Sequence, residues 1–175
     1  MPRYEIVPQR STVWIDAKST LHPIHARTDG LEGYVELEVG DGGAVDLNVT
    51  PAGRLSLPVT RLRSGNRLED RELHNRLDAR RYPTIDGVLT SMKAARADSP
   101  SGSRFVVQGD VSFRGVTRSM KDHMTVRPID GRTIQLEGES TFDIRDFGME
   151  PPRILLLRVE PSVTVRVEIV AEREG

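Results

Sequence analysis

The sequence predicts an all-β domain built around a single amphipathic helix. Short apolar/polar alternating runs recur along most of the chain, with Gly, Pro, Asp and Ser clusters between them. One stretch, residues 64–85, departs from that period and reads as a helix. The length of 175 residues suits one domain spanning 1–175. Regular strands separated by turn signals point to a sandwich or a barrel.

The helical stretch reads SGNRLEDRELHNRLDARRYPTI. Asn66 is placed to cap it, and Glu69 stands three residues on, the spacing of a capping box. Glu69, Asp70 and Glu72 lie early, while Arg76, Arg80 and Arg81 lie late, which suits the helix dipole. Leu68, Leu73, Leu77 and Tyr82 form a narrow apolar stripe, and Pro83 stops the helix. That stripe needs a receiving surface, and the open end or edge of a curved sheet supplies one.

Taken in order, the first strand is expected at Val13-Trp-Ile-Asp-Ala, with Val13 and Ile15 on one face. Tyr34 to Val39 and Ala44 to Val49 both alternate across Asp41-Gly-Gly, so a hairpin is expected there. Val35, Leu37, Val39, Val45, Leu47 and Val49 would face inward. Leu55-Ser-Leu-Pro-Val is a shorter strand that Pro58 ends or bends. Strand character resumes from Ile85 to Met92, and residues 97–103 read as a polar loop. Phe105, Val107, Val111 and Phe113 share a face, with Gly109 in the same parity marking a bend or close backbone approach. A strand over Ser119–Arg127 and a turn at Asp130-Gly follow. Then come Ile134, Leu136, Phe142 and Ile144 inward, a break at Pro151-Pro152, and a last strand with Val163, Val165, Val167 and Ile169 inward. In all, about nine to ten strand candidates surround the helix.

Composition narrows function. The net charge is −1, so a bulk nucleic-acid partner is not expected. Lys occurs only at 18, 93 and 121, and the remaining basic residues are Arg. Cys is absent, which removes thiol nucleophiles, disulfides and Cys–zinc sites. No apolar run approaches the length of a transmembrane segment, and the opening MPRYEIVPQRS lacks a signal-peptide core. With Met1 as the natural start, a cytoplasmic location is expected. A mean hydropathy of −0.41 implies much exposed strand face and loop.

Three segments carry a family resemblance. Thr60-Arg-Leu-Arg-Ser-Gly-Asn, Glu69-Asp-Arg-Glu-Leu and Leu77-Asp-Ala-Arg-Arg-Tyr-Pro-Thr-Ile form the first. Gly109-Asp-Val-Ser-Phe-Arg-Gly-Val-Thr-Arg is the second, and Asp143-Ile-Arg-Asp-Phe-Gly the third. Together they resemble the YceI-like family. The resemblance implies a lipocalin-like antiparallel β-barrel of about eight strands with one amphipathic helix. It also implies non-catalytic binding, transport or sequestration of a polyisoprenoid or other long-chain lipid. Many members of that family are exported, so a cytoplasmic location would depart from it.

At about eight strands a barrel interior is either filled or wide enough for one ligand. Alternation alone fits both states, and the resemblance favours the hollow one. The expected lining is Val13, Ile15, Leu37, Leu47, Leu73, Leu77, Phe105, Val107, Phe113, Leu136, Phe142 and Val165. Such a surface accepts an apolar chain, each buried CH₂ contributing about 0.8 kcal/mol. Seven Arg between 61 and 81 outnumber the acids there, so Arg76, Arg80 and Arg81 are candidates for an anionic headgroup. The alternative is a solvated helix with i,i+4 ion pairs such as Glu72–Arg76.

No cofactor and no metal are expected. His22 and His25 flank Pro23 at a spacing that puts them on opposite sides of a strand. Asp143, Arg145 and Asp146 read as a charged corner before Phe147-Gly148. Two other functions compete. An enzyme acting on a hydrophobic substrate would need a buried acid or base, with Asp16, Asp143 and His25 as the candidates. A packed barrel serving protein interaction or a stress response would show an exposed apolar patch instead. A homodimer is compatible with each reading.

Overall fold

Eleven strands and one α-helix make up the computed structural model, which describes residues 1–95, 103–151, 153, 154 and 157–175. The strands are β1 (Arg3–Ile6), β2 (Thr12–Ser19), β3 (Ile24–Thr28), β4 (Glu32–Glu36) and β5 (Ala52–Pro58). The helix α1 (Arg67–Arg76) comes next. It is followed by β6 (Thr84–Ala94), β7 (Ser103–Phe113), β8 (Val116–Pro128), β9 (Thr133–Asp143), β10 (Arg153–Ile154) and β11 (Leu157–Arg173). The polar loop expected over 97–103 falls mostly outside the described residues.

Eight strands pair in the order β1-β4-β5-β6-β7-β8-β9-β11, every neighbour antiparallel, and β11 returns to β1. The barrel is therefore closed. Closure rests on four residues the sequence reading passed over. Tyr4 and Ile6 point inward from β1, which pairs with Arg173 to Ala171 of β11 on one side and with β4 on the other. An ion pair from Arg3 to Glu36, 2.8 Å long, fastens the second contact.

β11 is long enough to serve two partners along one edge. Its C-terminal end takes β1, and its N-terminal part takes β2 from Val159–Ser19 to Glu168–Thr12. β1 and β2 thus form one broken strand, interrupted by a single 3₁₀ turn at Pro8–Arg10. Ser11 seals the break. Its hydroxyl donates to the Val7 carbonyl at 2.9 Å and accepts from the Val170 amide at 3.0 Å. β3 extends the sheet beyond β2 and meets Arg63 through an isolated bridge at Arg27.

The expected hairpin over 34–49 is corrected. Only Val39 and Val45 form a bridge there, and β4 finds its ladder with β5 instead. Residues 46–49 turn rather than extend, because the Asp46 carboxylate accepts from both the backbone and the side-chain amide of Asn48. Where the next hairpin forms, the turn chemistry is decisive. Arg114 and Gly115 both have positive φ, 52° and 76°, the two-residue turn joining Phe113 to Val116.

The helix is shorter than its pattern suggested, ending at Arg76 with Asp78 in the left-handed region. Asn66 caps it, accepting from the amides of Leu68 and Glu69 at 3.0 and 3.2 Å. The reciprocal half of the capping box runs through Ser64. That hydroxyl receives the Asn66 amide and donates to Asp70 at 2.7 Å. Leu68, expected on the apolar stripe, is 60% exposed. The inward row is Glu69, Leu73 and Leu77, four residues apart.

Candidate functional site

The barrel core is divided along its axis. At the end formed by β1 and the far halves of β8, β9 and β11, side chains fill the interior. Tyr4, Phe105, Val126, Ile134 and Ala171 are all buried there. At the end covered by α1 the interior is open. A cavity of about 360 Å³ lies there, bounded by Val13, Ile15, Leu57, Leu73, Leu77 and Val165, among others. A second cavity of about 190 Å³ adjoins it towards the packed end, with Leu37, Leu136 and Ile169 in its wall. Leu55, Val107, Val111, Met120, Asp122 and Met124 border both, so they form the waist between the two.

Each wall of the larger cavity follows from strand parity. Val107, Val111 and Phe113 come from one face of β7, Val163, Val165 and Val167 from one face of β11, and Val13, Ile15 and Ala17 from β2. Gly109 occupies the same parity where β6 presses close: a Cβ there would stand 2.9 Å from the Val88 carbonyl oxygen. The α1 end is shaped by an aromatic corner. Phe147 packs edge-on against Phe113 and Phe142, with ring centroids 5.6 and 5.7 Å away. The corner is held by Asp143, whose carboxylate caps a 3₁₀ turn by accepting from the Arg145 amide. Gly148 closes that turn at a φ of 72°. The Arg145 guanidinium, bonded to both Asp143 oxygens, holds that carboxyl below the usual carboxylate range.

Ten of the twelve expected lining residues border the two cavities. Val13, Ile15, Leu73, Leu77, Phe113, Phe142 and Val165 line the larger, Leu37 and Leu136 the smaller, and Val107 both. The other two border neither cavity. Phe105 is buried in the packed end, and Leu47 lies in the 46–49 turn, half-buried against the core. Arg76, Arg80 and Arg81 are all exposed and line neither cavity. The guanidinium of Arg81 instead rests over its neighbour Tyr82, 5.5 Å from the ring centroid.

The residues an enzyme would have used are also placed. Asp16 and His25 face each other across β2 and β3 on the exposed outer side, hydrogen-bonded together. Asp143 is engaged by Arg145. Among the described residues no group of His, Asp and Glu is arranged to hold a metal, and no helix is long and apolar enough to cross a membrane.

Four polar residues border the larger cavity, Asp122 and His123 on β8 and Glu139 and Ser140 on β9; strand parity turns His123 and Glu139 outward and leaves Asp122 and Ser140 on the inward face. Parity could have found both. Asp122 falls between Met120 and Met124, and Ser140 falls between Leu136 and Phe142 on the inward face. The Ser140 hydroxyl is buried with no hydrogen-bond partner among the described residues. Leaving such a group unpaired costs about 1–3 kcal/mol.

Comparison with known proteins places this architecture. A family model described as a YceI-like domain matches residues 4–171. No curated protein sequence matches the chain. Among solved structures, Burkholderia cenocepacia BcnA superposes with a TM-score of 0.76 at 15% identity, covering 95% of this chain and 99% of that one. A polyisoprenoid binding domain from Saccharophagus degradans superposes with a TM-score of 0.76 at 14% identity, covering 98% of both chains. A Campylobacter jejuni YCEI protein gives 0.67 at 11% identity, covering 86% and 85%. At such identities the likeness shows a shared fold, while the family model spans nearly the whole chain. The chain belongs to the YceI-like family.

Proposed function

We propose that this YceI-like barrel binds the tail of one long apolar molecule, an isoprenoid or an acyl lipid, in its hollow half. It then carries or sequesters that molecule without transforming it. The observation that carries this reading is the pair of adjoining cavities, about 360 and 190 Å³, walled mostly by Val, Leu, Ile, Met and Phe. A void of that composition repels water and welcomes hydrocarbon: an apolar cavity of about 150 Å³ stays dry yet admits benzene. Small-molecule sites fall in the range of about 300–1,000 Å³. The described neighbour from Saccharophagus degradans, a polyisoprenoid binding domain, supports the same class of ligand.

The reading needs no chemical step. Desolvation of the tail supplies the affinity, at about 0.8 kcal/mol for each CH₂ removed from water. Helix α1 caps the open end with Leu73 and Leu77, so a tail inside is covered mostly by apolar surface. Gently purified protein examined by native mass spectrometry, followed by organic extraction, tests this. A retained or added prenyl or acyl species at one per barrel is expected. Bare protein that takes up neither long-chain isoprenoids nor fatty acids would contradict it.

A further inference from the structure

The barrel wall has a gap, and its inner lip is polar. β8 and β9 pair only between His123–Pro128 and Ile134–Glu139. Beyond that, β8 stays on β7 as far as Val116, and β9 stays on β11 as far as Asp143. The two strands therefore diverge towards the α1 end, leaving a wedge between Arg118–Asp122 and Ser140–Asp143. An outward-opening cleft of about 710 Å³ occupies the wedge. Its floor is the wall of the main cavity, since Met120, Asp122, Ser140, Phe142 and Phe147 border both.

Asp122 and Ser140 stand on this shared wall. If the β8–β9 register continued, they would be directly opposite each other. The buried Ser140 hydroxyl has no partner among the described residues, and the half-buried Asp122 side chain beside it borders the open cleft. One buried hydroxyl without a partner, beside a carboxylate on the same broken wall, marks a place for a polar atom that the protein itself does not supply. We infer that this gap is a headgroup site for a hydrogen-bond-donating, uncharged group, of which a primary alcohol is the simplest case. The inference rests on the tail-binding reading and adds to it which end of the ligand the gap selects.

The chemistry sets the class. The carboxylate of Asp122 only accepts, and the Ser140 hydroxyl both accepts and donates. A hydroxyl can donate to the first and accept from the second. A carboxylate or phosphate head would bring like charge against the Asp122 side chain on this wall. Cations border the same cleft: Arg118 and Lys121 are exposed, and Arg145 is engaged by Asp143. They could draw an anion to the outer rim, which is the competing outcome.

Phytol, phytanic acid and phytane share nearly one branched skeleton and differ in the head, so the intact protein is titrated with each. Phytol is expected to bind up to about tenfold tighter than phytane, the scale of one net hydrogen bond, and phytanic acid more weakly than phytol. Ser140→Ala should bring phytol towards phytane. Asp122→Asn should strengthen phytanic acid while leaving phytane unchanged. Phytanic acid equal to or tighter than phytol in the unaltered protein overturns the inference, and that comparison needs no variant to fold. Phytane bound with no head preference also overturns it and leaves tail binding standing. Failure of all three to bind overturns both.

Discussion

A tryptophan at position 107 should shorten the ligand the barrel accepts. Val107 borders both cavities at their waist, so Val107→Trp puts an indole across the passage between them. At about 30 Å³ for a group the size of water, the larger cavity of about 360 Å³ holds roughly twelve carbon-sized groups. The smaller, of about 190 Å³, holds roughly three to six at half to full occupancy. A geranyl chain then fits the larger cavity alone, whereas a farnesyl chain needs both and a geranylgeranyl chain fills both with its end at the entrance. Losing three to six buried groups costs about 2–5 kcal/mol, a weakening of roughly 50- to 3,000-fold. Competition against a fluorescent fatty acid analogue, run with geraniol, farnesol and geranylgeraniol, reads this as a chain-length profile. The affinity gain from geraniol to geranylgeraniol should flatten in the variant while geraniol is nearly unchanged. Thermal melting checks that the ring has entered void rather than forced the wall apart, since overpacking costs about 1–3 kcal/mol. An unaltered profile, or an equal loss at every length, would refute the two-chamber reasoning.

Other outcomes follow from the same division of the barrel. Ile134→Ala, at the packed end, should lower stability by about 2–5 kcal/mol in urea melts while ligand affinity per folded molecule stays constant. Asn66→Ala removes the α1 cap and should cost about 0.5–2 kcal/mol, with faster amide exchange confined to Arg67–Arg76 and faster ligand release. Replacing Arg76, Arg80 and Arg81 together by Gln should leave affinities for geranylgeraniol and for its diphosphate alike; a selective loss of the diphosphate would place a headgroup on the helix after all. Asp143 has its pKa lowered in the fold by the Arg145 hydrogen bonds. Its stabilisation is present above the unfolded value of about 3.9 and is lost as pH falls through the lower folded value. Denaturation midpoints followed downward from about pH 5 should therefore drop less steeply in Asp143→Asn than in the unaltered protein.

Much of this was legible because the longest strands alternate cleanly. Val163, Val165, Val167 and Ile169 on β11 and Phe105, Val107, Val111 and Phe113 on β7 announce an inward face by period alone. What was hidden depends on partners distant in sequence. β1 is only four residues, and its role is to meet Ala171–Arg173 at the other end of the chain. The apolar parity of Val45, Leu47 and Val49 suggested a strand, but Asp46 and Asn48 bond locally and turn the chain. Leu68 matched the helix stripe by type, yet the row at 69, 73 and 77 faces the barrel, because the direction of a stripe depends on what it covers. Hollow and filled halves share one alphabet of Val, Leu, Ile and Phe, so the cavity could not be read from the residues. Asp122 and Ser140 could have been, since each breaks an apolar row at an inward position.

The most direct measurement is an NMR map of a bound chain against the methyl groups of the barrel. With geranylgeraniol added to methyl-labelled protein, contacts from the ligand should appear at Leu73, Leu77, Val107 and Val165, and none at Val126 or Ile134. Contacts confined to the outer surface, or spread equally over the packed end, would contradict a ligand chamber in the hollow half.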